Sequence, residues 1–208
     1  DIFKKIVRSM EFASLLGAKN IVVHPKQHLK YGNNIQALKE INLEFYNSLI
    51  PYCKEYNITV CIENMWQYTE TRQITYSVCA TCDEFREYIK MLNSPYIKGC
   101  LDIGHANLVE SDIPHFISVL GDELVALHVH DAAYNADTHI VPYSLMGSEY
   151  WENIMKALAD SGYAGDLTFE ANRTIAHLPD ALTPSGAKFM ADVGKYLVSR
   201  FEFYKNNK

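Results

Sequence analysis

Five short apolar runs in this 208-residue chain each end on a carboxylate or an imidazole. His24 closes NIVVHP (20–25) and Glu63 closes ITVCIEN (58–64). Asp102 and His105 close KGCLDIGH (98–105). His128, His130 and Asp131 close LVALHVHD (124–131), and Glu170 closes DLTFEAN (166–172). One such residue is commonly a cap, an ion-pair partner or a satisfied core histidine; five runs in register ask for a shared cause. Carboxylates brought together repel unless a positive charge lies between them, and a divalent cation is the natural counter-charge. A Glu/Asp/His set with oxygen in the majority suits Mn²⁺, Mg²⁺ or Co²⁺ and accommodates Zn²⁺. No cysteine belongs to the set, which argues against a structural thiolate zinc. His130 alternates with His128, so strand geometry points it to the opposite face, to pack or to support the site from behind. His24, followed by Pro25, is divided between metal and substrate pocket. His28, His115 and His177 have no strand-end placement and read as surface or loop residues.

These groups need a frame that delivers strand ends to one place. The five runs are apolar almost to their last residues, as in a parallel sheet covered by helices. Amphipathic segments separate them. The opening DIFKKIVRSMEFASLLGA spaces Ile2, Ile6, Val7, Met10, Ala13 and Leu16 near one helical face. A helix over 33–57 aligns Ile35, Leu38, Ile41, Phe45 and Leu49, and Pro51 predicts a kink or an end to its first part. Thr81 and Glu84 read as a capping box for a helix over 81–93. Pro114 sits near the start of a helix at 112–121. Ser148 caps and Gly162 ends a helix at 148–162, and a last helix spans about 184–204. Five strands, each followed by a helix and with no composition break, predict one α/β domain over 1–208. In a (β/α) barrel the C-terminal strand ends converge on one mouth, where active sites sit.

Composition narrows the function classes. With 48% hydrophobic and 21% charged residues the chain can bury a sizeable core. No run approaches the roughly 18 apolar residues of a membrane span, and no signal segment opens the chain. The net charge of −6, without a basic run, argues against a nucleic-acid partner. GxGxxG and P-loop patterns are absent, which weakens a nucleotide-binding reading. The five cysteines, Cys53, Cys61, Cys79, Cys82 and Cys100, lack the spacing of a disulfide framework and fit a reducing cytoplasm. Cys79 and Cys82 form a lone CxxC; without a second pair they read as residues flanking a helix start.

The ordered set IENM (62–65), DIGH (102–105), LHVHD (127–131), DTH (137–139) and FEAN (169–172) resembles the xylose isomerase-like TIM-barrel superfamily. That group holds sugar (phosphate) isomerases and epimerases together with AP endonuclease family 2, the endonuclease IV group. The resemblance implies a (β/α)8 TIM-barrel type of fold, of which this chain supplies the last five β/α units. The first three strands are then expected upstream, or from a partner chain. In the isomerase and epimerase branch it implies one divalent metal (Mn, Mg, Co or Zn) on Glu63, Asp102, His128 and Glu170, with His105 touching substrate. In the endonuclease branch it implies three zinc ions on His24, Glu63, Asp102, His105, His128, Asp137, His139 and Glu170, the DTH pair returning from a loop towards the metal region.

The function favoured by the resemblance is a metal-dependent sugar, or sugar phosphate, isomerase or epimerase working through a metal-stabilised enediolate. Glu63 and Glu170 are its expected proton-transfer pair. Trp66 is placed to wall the pocket, or equally to pack on the rim. Arg173 is placed to meet a phosphate or carboxylate, or to sit at the surface. A small sugar is the implied partner, and many members of the superfamily form dimers or tetramers. Two alternatives stand beside this: a zinc-dependent endonuclease acting at abasic sites in DNA, and a non-catalytic sugar-binding barrel with a relic metal site.

Overall fold

The computed structural model describes residues 2–133 and 135–207, and within them strands and helices alternate. Helix α1 (Ile2–Leu15) leads to β1 (Asn20–Val23), then α2 (Tyr31–Tyr56) and β2 (Thr59–Glu63). A hairpin of β3 (Trp66–Tyr68) and β4 (Ile74–Tyr76) precedes α3 (Cys82–Leu92) and β5 (Ile97–Asp102). Helices α4 (Ile103–Leu108) and α5 (Ile113–Leu120) lead to β6 (Leu124–Val129) and a second hairpin, β7 (Asp131–Ala133) with β8 (Ala136–Ile140). The chain closes with α6 (Ser148–Ser161), β9 (Thr168–Phe169) and α7 (Thr183–Asn206).

Strands β1, β2, β5, β6 and β9 form one parallel sheet in that order. Parallel neighbours in sequence order, each joined through a helix, are five consecutive units of a (β/α)8 TIM-barrel type of fold. The sheet curls. Glu63 on β2 and His128 on β6 are two strands apart, about 9.6 Å in a flat sheet. Their side chains nevertheless meet at 3.3 Å. The helices cover the convex face with a core built on Tyr46, Phe85, Tyr88, Phe116 and Trp151, all fully buried. Glu152 on α6 takes Arg200 Nε and Tyr204 Oη of α7, both at 2.7 Å, and pins the last helix to the layer.

The structure departs from the sequence expectations at several places. Helix α2 passes through Pro51, and the residue with non-helical dihedrals is Asn34 (φ −136°, ψ 23°). Pro51 and Asn47 both lie on the exposed face, so the carbonyl that loses its donor is left to water. Asn42 holds a buried place on α2 and ties down the segment after β1 through both the N–H and the carbonyl of Lys26. Ile35 stays exposed on α2. The capping box is half formed: Thr81 Oγ1 accepts from Glu84 N–H, but the Glu84 carboxylate takes the N–H of Cys79. Ser148 is the first residue of α6 and does not cap it, whereas Gly162 ends the helix with φ 78°. On α1, Met10 is buried but Ile2 is exposed, and Leu16, just past the helix end, is exposed too. No helix among the described residues is long and apolar enough to cross a membrane.

Candidate metal centre

The strand ends meet around Glu63. It is the last residue of β2 and its side chain is 1% exposed. Its Oε2 lies 2.9 Å from His24 Nε2, and its Oε1 lies 3.3 Å from Nδ1 of both His105 and His128. His128, on β6, turns the same Nδ1 to Glu170 Oε2 at 3.1 Å and Asp102 Oδ2 at 3.7 Å. One ligand atom each from Glu63, Asp102, His128 and Glu170 falls within 4.8 Å of the other three. Ligands bonded at about 2.0–2.3 Å around one ion stand at most about 4.6 Å apart, so the spacing matches a single divalent cation. Both Glu63 oxygens and His128 Nδ1 are buried yet lack a hydrogen bond of good geometry among the described residues. Buried polar atoms normally have partners, and a shared cation is the partner this donor set fits.

Asp102 does two jobs. It ends β5 and is also the N-cap of α4, its Oδ1 accepting the N–H of His105 at 2.7 Å. His105 therefore belongs to the first turn of a helix and not to the strand end. Its Nδ1–H donates to the carbonyl of Asn64 at 2.9 Å, which aims Nε2 at Asp137 Oδ2, 3.4 Å away. Asn64 grips the backbone of Asp102 in return: its Oδ1 accepts the Asp102 N–H at 2.7 Å and its Nδ2 donates to the Asp102 carbonyl at 3.0 Å.

Asp137 and His139 reach the same region on β8, and His139 Nε2 lies 2.9 Å from Asp137 Oδ2. His139 Nδ1 meets the Glu170 carbonyl at 3.1 Å, from a backbone with φ 45°. Positive φ is uncommon in a residue with a side chain, and His tolerates it better than most. His105, Asp137 and His139 make a second group with metal-ligand spacing.

The electrostatics follow from these contacts. Burial alone would raise Glu63, but the neighbouring His128 and His24 overcome it and hold the carboxyl at about 2. Burial lowers His128, and Glu170 and Glu63 outweigh it, pushing the imidazole up to about 10. His105 is likewise lowered by burial and raised further by Asp102, Asp137 and Glu63, to about 9. His128 also holds Glu170 below the usual carboxylate range. His24 is raised, chiefly by Glu63. The cluster thus concentrates negative charge and draws protons onto its imidazoles.

The remaining sequence candidates are placed as follows. His24 is largely exposed on the side of the cluster. Trp66 lies on β3 with its ring 6.5 Å from His105 and 4.7 Å from Tyr68. Arg173 is exposed on a turn past Glu170, and the structure brings it to no acidic partner in the cluster. His28, His115 and His177 are exposed. His130 does not face away as strand alternation requires. β6 ends at Val129, and past that point the ring returns to Asp102 at 3.0 Å. Sequence reasoning missed Asn64 and Gly104. The only signal for either was a small or polar residue beside a strand-end carboxylate.

The family model described as xylose isomerase-like TIM barrel matches residues 2–193. An uncharacterised protein of Sinorhizobium fredii is 28% identical over 171 residues, 77% of this chain and 50% of that protein. The chain thus spans about half the length of this curated relative. D-psicose 3-epimerase of Enterocloster bolteae is 31% identical over 90 residues, 43% of this chain and 28% of the enzyme. Among solved structures, a D-tagatose 3-epimerase-like protein superposes with TM-score 0.73 at 19% identity, over 95% of this chain and 70% of that one. The IolI protein with a bound zinc atom gives 0.70 at 15% identity, over 98% and 70%. Identities this low speak to the fold alone, but the family match runs from α1 into α7 through every unit of the sheet, and the chain belongs to the xylose isomerase-like TIM-barrel family.

Proposed function

We propose that the chain carries the metal centre of a divalent-metal-dependent isomerase or epimerase acting on a sugar or sugar phosphate. The observation that carries this reading is the quartet Glu63, Asp102, His128 and Glu170, gathered at neighbouring parallel strand ends with ligand atoms within 4.8 Å. A divalent cation held there supplies Lewis-acid polarisation of a sugar carbonyl. Glu63 ends β2 and Glu170 directly follows β9, on either side of β5 and β6. A substrate over the centre therefore meets a carboxylate on each side. Both carboxyls are ionised near neutrality, as glutamates ordinarily are, and are able to accept a proton. One removes the proton next to the carbonyl and the other manages its return. His105 and His24 orient substrate hydroxyls, and Trp66 walls the pocket beside them.

The test is solvent deuterium exchange into a panel of free and phosphorylated ketoses with Mn²⁺ or Co²⁺ present. Exchange and epimer formation that vanish in Glu170→Gln, with an unchanged circular dichroism spectrum, support the reading; retained epimerisation in that variant overturns the proton-transfer role. Sugar binding without any exchange would instead favour a non-catalytic barrel.

One observation favours a second reading, zinc-dependent cleavage of DNA at abasic sites. His105, Asp137 and His139 form a further ligand group beside the first. The net charge of −6 opposes it. A nicking assay on abasic-site duplex DNA separates the two.

A further inference from the structure

His130 is fully enclosed, although it lies one residue beyond the end of β6. A carboxylate has no hydrogen to give, so the ring Nε2–H donates to Asp102 Oδ1 at 3.0 Å, with Oδ2 at 3.2 Å. One face of the ring stacks on His139, centroids 4.3 Å apart and planes within 6°. Gly104 lies against the ring. A Cβ placed on Gly104 would stand 2.0 Å from His130 Cε1, 2.4 Å from Nε2 and 2.5 Å from Nδ1. No side-chain carbon fits there, so the ring occupies space that only glycine leaves. Asp102 is then held on every side: Asn64 on its backbone, and the His105 N–H and His130 on its carboxylate. Oδ1 takes two donors, while Oδ2 is the oxygen nearest His128.

We propose that His130 is a positioning residue, fixing the Asp102 carboxylate as a ready-oriented ligand for a divalent cation, and that residue 104 is glycine to admit it. The proposal rests on the metal-centre reading above. Hydrogen-bond donors behind a ligating group set its orientation, and their loss typically costs about 10–100-fold in metal affinity. The DIGH and HVHD segments are thus one device, with the glycine of the first making room for the second histidine of the other.

The experiment is Mn²⁺ and Zn²⁺ titration of the full chain and of His130→Ala, His130→Gln, Gly104→Ala and the Gly104→Ala/His130→Ala double variant, with thermal melts in EDTA. The expected result is Mn²⁺ binding weakened about 10–100-fold in His130→Ala, partly restored in His130→Gln, whose amide still donates. Gly104→Ala should weaken binding beside the intact ring and add nothing once the ring is gone. Should His130→Ala fail to fold, His130→Gln and Gly104→Ala carry the comparison. Wild-type affinity in His130→Ala overturns the proposal, as does an equal loss from Gly104→Ala in both backgrounds. A pure packing role would lower the metal-free melting temperature and leave affinity alone. Wild-type chain that binds neither ion refutes the metal-centre reading itself, a result distinct from normal wild-type binding with indifferent variants.

Discussion

Removing metal should make stability fall as pH rises. In the metal-free chain, Glu170 and Glu63 raise His128 from 6.5 to about 10 against the lowering effect of burial. A group raised on folding contributes stability fully present below 6.5 and lost as pH climbs through the folded value. Glu63 is lowered from 4.5 to about 2, so its contribution is complete above 4.5 and lost as pH falls through the folded value. The two describe one contact and are not summed. At about 1.4 kcal/mol per pK unit, the Glu63 depression corresponds to roughly 3 kcal/mol. Metal-free protein should therefore be most stable between 4.5 and 6.5 and lose stability above that range. For a chain of this size the full loss is worth roughly 6–12 °C in Tm. With Mn²⁺ that loss should be cancelled, because His128 must shed its proton to act as a ligand and binding tightens as pH rises. A saturating ion at about 100 times Kd adds about 2.7 kcal/mol. Thermal melts in EDTA and in Mn²⁺, from about pH 6 to about pH 8.5, should show two curves that separate as pH rises. Glu63→Gln should flatten the EDTA curve. A metal-free Tm that rises over this range, or an Mn²⁺ increment that shrinks, would show that the His128–Glu63 contact does not set the pH dependence.

Asn64→Ala should strip the buried Asp102 N–H and carbonyl of their partners, costing about 2–3 kcal/mol in urea unfolding and weakening Mn²⁺ binding. Unchanged affinity would show that the Asn64 clamp does not prepare the ligand. Cys79→Ser with Cys82→Ser should leave metal stoichiometry, read by elemental analysis, the same. Burial pushes the Cys79 thiol well above its usual value, and its N–H is committed to Glu84.

What the sequence determined by itself is the order of the elements and the chemical types at the strand ends. Runs such as TVCIE and IKGCLD are apolar because helices or neighbouring strands cover them, so a carboxylate closing such a run stands out. End signals likewise announced α3, through its Thr81 cap, and α6, through the Gly162 that ends it. The two hairpins were not legible: strands of three to five residues, WQY or ADTHI, carry too little periodicity to read. His105 misled because Asp102 serves at once as strand end and helix cap, so the helix begins with no loop between. His130 misled because alternation holds only while the strand continues, and β6 ends one residue before it. Asn64 and Gly104 act through partners distant in sequence, Asn64 on Asp102 and Gly104 on the His130 ring. Only tertiary structure decided which of the acids and imidazoles meet, since it is the curl of the sheet that brings Glu63 across two strands to His128.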